Sequence, residues 1–297
     1  MTRANGPRLL VVEDLVAGYG DAIVLEGISL TVDPGEILVV LGATGSGKST
    51  LLRCIVGLLA PRSGRVLIRG RDINAATGDE REEILRDVGL AFQDAALLNS
   101  LTAAENVALP IMEHWGADEP TALMLARMRL ASVGLARAGD KLPAELSGGM
   151  RKRAGIARAI ALEPGLLLLD EPSAGLDPTT ARALDELILG LKARGDMGIV
   201  AVTHELGSIN TIADRAIMLA EGRLIASGTL EEVRADPDPR VQAFFQRQLV
   251  PGAKHNQGLN VAEAAYRQKV LRFFEAHLAS GPRTAEGLEA PQAVLSC

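Results

Sequence analysis

The chain has 297 residues, 47% of them hydrophobic, with a formal net charge of −6 and two cysteines, Cys54 and Cys297. This length allows one large domain or two smaller ones, and no unbroken apolar run approaches the ~18 residues of a membrane span. The negative charge argues against general nucleic-acid binding, and two cysteines make no disulfide framework, which fits a reducing, cytoplasmic setting.

The first 40 residues predict short β-strands separated by turns. The first apolar run, residues 9–12, stops at Glu13 and Asp14, so it predicts a strand and not the core of a signal peptide. Tyr19 lies between two glycines, and we expect it in a loop. Two interpretations stay open for Tyr19: a surface turn residue, or an aromatic face that stacks on an adenine ring.

A glycine-rich turn follows a predicted buried strand at residues 36–41 and precedes a predicted helix at residues 51–56. Strand, glycine-rich turn and helix are the context of a P-loop, where backbone N–H groups and the positive helix end bind phosphate. Lys48 would reach the β- and γ-phosphates, and the Ser49 hydroxyl would ligate Mg²⁺. The predicted phosphate-binding residues are Gly42, Ala43, Thr44, Gly45, Ser46, Gly47, Lys48, Ser49 and Thr50.

The next predicted strand, residues 88–92, ends at Gln93. Ligands of open α/β sheets bind at the carboxyl ends of strands, which makes this amide a candidate. From the strand alone, a solvated loop glutamine is the simpler interpretation.

Between residues 101 and 163, helical periodicity replaces the β pattern and predicts a helical insertion in an α/β domain. Its last helix follows Ser147, Gly148 and Gly149, and its first turn is basic. This start predicts a second helix N-terminus that binds an anion. The alternative is an ordinary helix cap, which needs only one glycine.

Four leucines at residues 166–169 show no alternation and predict a parallel strand buried on both faces. Asp170 and Glu171 follow them, and adjacent carboxylates repel each other. We therefore favour a function over a solvated turn: Asp170 would hold Mg²⁺ through water, and Glu171 would polarise the attacking water. The next buried strand, residues 198–203, ends at His204, which is either structural or close to a phosphate.

The composition changes near Pro237. Residues 241–249 and 261–278 predict helices that carry aromatic side chains, and residues 280–297 are predicted to be disordered. These helices either pack on their own domain or dock on a partner or a second copy.

Together these motifs resemble the ATP-binding cassette (ABC) ATPases, where they occur in the same order. The resemblance implies an α/β fold in which residues 8–236 form a P-loop ABC ATPase domain. That domain would contain an antiparallel β subdomain and a helical subdomain at about residues 95–163. Residues 237–297 would form a C-terminal helical extension with a disordered end.

The resemblance also implies a role for each candidate residue. Besides the P-loop, the ATP-binding residues would be Tyr19, Ser147, Gly148, Gly149 and Asp177. The Mg²⁺ ligands would be Ser49, Gln93 and Asp170. The catalytic residues would be Lys48, Gln93, Glu171 and His204.

The family further implies a second copy of the chain that closes head to tail over two ATP molecules. Ser147, Gly148 and Gly149 of one subunit would then contact the γ-phosphate held by Lys48 of the other. An integral membrane permease would be the other partner, at the cytoplasmic face of a bacterial inner membrane. No nucleic-acid partner is expected.

Met150 stands where the family usually has glutamine, and a basic run follows it at residues 151–153. These residues, together with residues 92–102 and 105–111, resemble the ATPases of Mla-type lipid transporters. The resemblance implies phospholipid transport between the inner and outer membranes, with an MCE-domain lipid-binding protein and a small accessory subunit as further partners. The ATPase of a small-solute importer is the alternative. In either case, residues 95–101 would receive a cytoplasmic helix of the permease.

Overall fold

The computed structural model describes residues 8–193 and 195–247, which all belong to one unit, Met1–Gly252. The predicted helix at residues 261–278 and the predicted disordered end lie outside the described residues. The domain boundary at residue 236 therefore stays a prediction.

The described residues form ten strands, which belong to two sheets. The strands are β1 (Leu10–Tyr19), β2 (Ala22–Val32), β3 (Ile37–Leu41), β4 (Ser63–Ile68), β5 (Arg71–Asp72), β6 (Val88–Ala91), β7 (Leu166–Asp170), β8 (Gly198–Val202), β9 (Arg215–Ala220) and β10 (Arg223–Gly228).

The same residues form nine α-helices and a short 3-10 helix, Pro143–Glu145. The α-helices are α1 (Lys48–Ile55), α2 (Gly78–Arg86), α3 (Ala103–Trp115), α4 (Glu119–Ser132), α5 (Gly148–Ala159), α6 (Pro178–Lys192), α7 (Leu206–Ile212), α8 (Leu230–Ala235) and α9 (Pro239–Arg247).

The smaller sheet is antiparallel, with strand order β2-β1-β4-β5. Our prediction that Tyr19 lies in a loop is wrong, because Tyr19 ends β1 and pairs with Ala22 across a tight turn. Gly20, with φ of +52°, allows that turn. Gly18 has a different reason to be glycine: a Cβ there would lie 1.9 Å from the Ala22 carbonyl oxygen. The two glycines therefore mark a hairpin and a close backbone approach.

The larger sheet has strand order β10-β9-β3-β8-β7-β6. Its strands run parallel from β9 to β6, and β10 pairs antiparallel with β9. The leucines of β7 are fully buried, and they alternate between two apolar cores. Leu166 and Leu168 share one core with α1, whereas Leu167 and Leu169 share the other with α3, α4 and α5. The prediction of a strand buried on both faces is confirmed.

The helical insertion consists of α3, α4 and α5, which pack against one another. Thr102 and Glu105 form a capping box at the start of α3. Asp118 caps α4, whose first turn contains Pro120. The predicted α/β fold class, with an antiparallel β subdomain and a helical subdomain, is confirmed.

Candidate active site

The candidate residues follow neighbouring strands at one edge of the larger sheet. β3 lies beside β8, and β8 lies beside β7. Because these strands are parallel, their carboxyl ends meet at the same edge. The P-loop after β3, Glu171 after β7 and His204 after β8 are therefore adjacent.

The P-loop needs glycine at defined positions. Gly47 immediately precedes α1 with φ of +104°, and no side chain caps that helix. A Cβ on Gly42 would lie 2.4 Å from the Leu219 carbonyl oxygen. The side-chain oxygen of Ser46 is buried and has no hydrogen-bond partner in the described part of the chain. A helix start without a side-chain cap, beside a buried hydroxyl without a partner, fits a bound phosphate.

Lys48, the first residue of α1, reaches back over this turn. Its Nζ donates hydrogen bonds to the carbonyl oxygens of Gly42 (2.8 Å) and Ala43 (2.9 Å). Burial lowers the pKa of Lys48, while the nearby charges of Glu171 and Asp170 act in the opposite direction. The P-loop cation and the two carboxylates therefore share one electrostatic site.

Glu171 is held at its backbone and at one carboxylate oxygen. Its N–H donates to the Val202 carbonyl oxygen at 2.8 Å, and its φ is +48°, in the left-handed region. The carboxylate oxygen Oε1 lies 2.8 Å from His204 Nδ1. The other oxygen, Oε2, is buried without a hydrogen-bond partner in the described residues. One oxygen is thus fixed, and the second is placed to accept a proton from a bound molecule.

The pKa of His204 depends on its contact with Glu171. The hydrogen bond that His204 donates to the Glu171 carboxylate is the main cause that raises the pKa of His204, and the charges of Glu171 and Glu205 add to it. Burial and the charge of Lys48 oppose this shift. His204 therefore keeps its proton to a higher pH than an ordinary histidine does.

Lys152 is a site residue that the sequence analysis missed. Its Nζ donates to the backbone carbonyl oxygen of Glu171 at 2.9 Å. Burial lowers the pKa of Lys152, and the charges of Glu171 and Asp170 oppose that effect. The basic turn after Gly149 was visible in the sequence, but its target depends on how α5 packs against the end of β7.

Tyr19 is 44% exposed, at the end of β1. Arg53 on α1 donates a hydrogen bond to the Tyr19 hydroxyl, and its guanidinium lies 5.8 Å from the ring centroid. This contact fixes an aromatic ring beside the helix that starts at the P-loop.

Gln93 is exposed and follows the end of β6 at Ala91. The next residues, Ala95 and Ala96, have left-handed φ values of +62° and +47°. Arg158 of α5 donates to both of their carbonyl oxygens, at 3.0 and 2.8 Å. Burial lowers the pKa of Arg158 to about 10. The segment predicted to contact a permease is thus tied to α5.

Ser147 and Gly148 are exposed at the start of α5, whereas Gly149 is buried. Ser147 Oγ accepts a hydrogen bond from the Met150 N–H at 3.3 Å, so Ser147 caps the helix. A Cβ on Gly149 would lie 2.5 Å from Thr180 Cγ2 of α6. Packing against α6 therefore accounts for Gly149, and the exposed Gly148 leaves the start of α5 accessible.

Asp177 caps α6 by accepting hydrogen bonds from the N–H groups of Thr179 and Thr180, both at 3.1 Å. Hydrogen bonding to Thr180 is the main cause that lowers the pKa of Asp177. Its carboxylate therefore stabilises the start of α6, and a role in ATP binding stays a prediction.

Two oxygen donors of the predicted Mg²⁺ site lie near the ends of α1 and β7. In the described ranges, no group of three or more His, Cys, Asp or Glu side chains could hold a metal ion. Ser49 at the start of α1 and Asp170 at the end of β7 are hard oxygen donors. Such a sparse donor set fits Mg²⁺, which keeps waters and takes ligands from substrate phosphates.

The structure thus brings Lys48, Asp170, Glu171 and His204 together. The roles predicted for these four residues and for the rest of the P-loop stay predictions. So do the roles of the remaining candidates, which are Tyr19, Gln93, Ser147, Gly148, Gly149 and Asp177.

Comparison with known proteins finds similarity to ATP-binding proteins of transporters. A sequence profile described as ABC transporter matches residues 25–174. The Escherichia coli K12 intermembrane phospholipid transport system ATP-binding protein MlaF is 39% identical over 80% of this chain and 88% of its own length. A probable ribonucleotide transport ATP-binding protein, mkl of Mycobacterium tuberculosis H37Rv, is 36% identical over 93% of this chain and 77% of its own.

An importer subunit and a solved structure are also similar. The methionine import ATP-binding protein MetN of Rhizobium johnstonii is 41% identical over 87% of this chain and 71% of its own. A dimeric ATP-binding cassette bound to ADP and Pi matches with a TM-score of 0.68 and 32% identity. That match covers 74% of this chain and 98% of the other. Within residues 8–193 and 195–247, no helix is both long and apolar enough to cross a membrane.

Proposed function

The chain belongs to the ABC transporter ATP-binding proteins, and from this premise we propose that it drives phospholipid transport between the inner and outer membranes through a separate permease. As a member of this family it binds ATP, is an ATPase and is the ATP-binding subunit of a transporter. The proposal concerns its cargo, its partners and the role of each residue.

The hydrolysis step is supported above all by the arrangement of Glu171. The buried Oε2 without a partner would accept a proton from the attacking water, while Oε1 stays fixed by His204 at 2.8 Å. Lys48 and the N–H groups at the start of α1 would bind the β- and γ-phosphates. Ser49, Gln93 and Asp170 would hold Mg²⁺, which supplies charge neutralisation at the phosphates when bound.

A second copy of the chain would complete the site. Cassettes of this family act as dimers with membrane permeases. Ser147 and Gly148 are exposed at the start of α5, which supports contact with a phosphate held by another subunit. A head-to-tail arrangement would surround the γ-phosphate with two helix N-termini and exclude water.

The phospholipid assignment is supported by the match to MlaF, which spans 88% of MlaF, whereas the match to MetN spans 71% of that relative. Met150, the basic turn after it and residues 92–102 also resemble the Mla-type branch. An MCE-domain lipid-binding protein and a small accessory subunit are the partners this assignment adds, at the cytoplasmic face of the inner membrane.

A small-solute importer is the second candidate, because MetN has the higher identity, 41%. Purification of the tagged full-length chain from membranes, followed by mass spectrometry of proteins and lipids, separates the two. An MCE-domain protein and enriched phospholipid support the proposal. A soluble solute-binding protein without enriched phospholipid supports the importer. The untagged chain carried through the same purification is the control.

A further inference from the structure

We propose that Lys152 is a positioning residue for ATP hydrolysis, which holds the backbone of Glu171 and connects it to the start of α5. This inference rests on the proposed role of Glu171 as the residue that polarises the attacking water. Lys152 acts through Glu171 and needs no contact with the substrate.

The backbone of Glu171 is in a conformation that its surroundings must maintain. Its φ of +48° is uncommon for a residue with a Cβ and persists only where contacts over-determine it. Its carbonyl oxygen accepts two hydrogen bonds, from Lys152 Nζ at 2.9 Å and from the Ala174 N–H at 3.3 Å. Lys152 makes the shorter of these two contacts, and its charge strengthens it.

Lys152 also places a positive charge beside two adjacent carboxylates. Both Glu171 and Asp170 interact electrostatically with its ammonium group, as they do with Lys48. Two cations therefore face two carboxylates, one from the P-loop and one from α5. Removing one cation would leave more of the negative charge of the two carboxylates uncompensated and would fix their positions less firmly.

The position of Lys152 connects two functional regions. It lies about one helical turn after the exposed Gly148 at the start of α5. In the proposed dimer, the start of α5 would contact the nucleotide held by the partner subunit. Lys152 of the same helix would contact the backbone of Glu171 in its own subunit. Closure of the dimer would thereby set the position of the carboxylate that acts in hydrolysis.

Steady-state ATP hydrolysis by the full-length chain tests this inference. We expect Lys152→Met to lower kcat about tenfold or more, with KM for ATP unchanged within about twofold, because misplacement of a reacting group slows chemistry. Lys152→Arg restores a charged donor and keeps kcat within about threefold of the wild type. Lys141→Met removes an exposed lysine elsewhere and leaves both constants unchanged.

Two further measurements separate positioning from misfolding. ATP affinity by calorimetry and the thermal unfolding midpoint of Lys152→Met should match those of the wild type. If Lys152→Met unfolds, Lys152→Gln takes its place, with a shorter neutral donor and the same expected loss of kcat. The double variant Lys152→Met/Glu171→Gln should still form an ATP-dependent dimer in size-exclusion chromatography.

Some results would overturn the inference. Lys152→Met with wild-type kcat, a rise in KM alone, or Lys152→Arg as slow as Lys152→Met would each exclude a positioning role. Failure of the proposed function is distinguishable, because Glu171→Gln would then hydrolyse ATP at the wild-type rate whatever the Lys152 variants do.

Discussion

The N-termini of α1 and α5 differ in their capping and in their surroundings. α1 starts after Gly47 without a side-chain cap, at the sheet edge that also carries Glu171 and His204. α5 starts after Ser147, whose hydroxyl caps it, and Ser147 and Gly148 are exposed. The first is built into a site of its own chain, and the second faces outward.

This difference indicates a division of work. Lys48 lies at the start of α1, where the charges of Glu171 and Asp170 act on it. We therefore expect one chain to bind a nucleotide at this helix start. The start of α5 is exposed at Ser147 and Gly148 and would add its N–H groups only when another subunit brings a phosphate to it. Variants near α1 should therefore affect binding or chemistry in every state, and variants at the start of α5 should affect chemistry after assembly.

The largest effect is expected for Glu171→Gln. Loss of general-base assistance should lower kcat by about 100- to 10,000-fold, while ATP binding is kept and a closed dimer accumulates. Steady-state hydrolysis and size-exclusion chromatography with ATP measure both. Glu205→Gln is the matched control, since Glu205 lies 3.6 Å from the same histidine but outside the proposed chemistry. Full steady-state hydrolysis by Glu171→Gln would exclude Glu171 as the base.

Lys48→Ala tests the α1 side at the level of binding. Loss of a charge-assisted contact of about 3 kcal/mol corresponds to an affinity loss of about 100-fold. Calorimetric titration with ATP measures it, and Lys141→Ala at an exposed position is the control. Unchanged ATP affinity in Lys48→Ala would overturn the P-loop assignment.

Ser147→Ala sharpens the comparison from the α5 side. Thr102→Ala removes an equivalent N-cap from α3, so both variants should lose about 1 kcal/mol of unfolding free energy. Only Ser147→Ala should also lower kcat, by several-fold, because its hydroxyl is proposed to face the partner's nucleotide. Urea unfolding and ATPase assays measure the two effects. Equal kcat in both variants would reduce Ser147 to a helix cap.

The comparison also shows what the sequence could predict. The parallel sheet and the site at its edge could be predicted from local patterns. Four consecutive leucines precede Asp170, and a glycine-rich turn precedes Lys48. These signals lie within single segments. They predict which side chains meet because the carboxyl ends of parallel strands share an edge.

Contacts between distant segments were not predictable in this way. Lys152 lies 19 residues before Glu171 and reaches its carbonyl oxygen only through the packing of α5. Arg158 binds the Ala95 carbonyl oxygen across 63 residues for the same reason. The loop prediction for Tyr19 failed because flanking glycines do not show whether they serve a loop, a hairpin or a close backbone approach.

The smallest expected effect concerns the pH dependence of His204. Because Glu171 raises its pKa in the folded chain, the protonated ring stabilises the fold fully below its ordinary pKa near 6.5, and this contribution is lost as the pH rises through the raised folded value. The wild type should therefore exceed His204→Gln in unfolding free energy most at pH 5.5, by no more than about 1 kcal/mol, and the gap should shrink by pH 9. Urea unfolding across this range measures it. Glu205→Gln removes one charge that raises the pKa, so in that background the gap should close at lower pH. A gap that grows with pH would show that the pairing with Glu171 lowers the pKa of the ring.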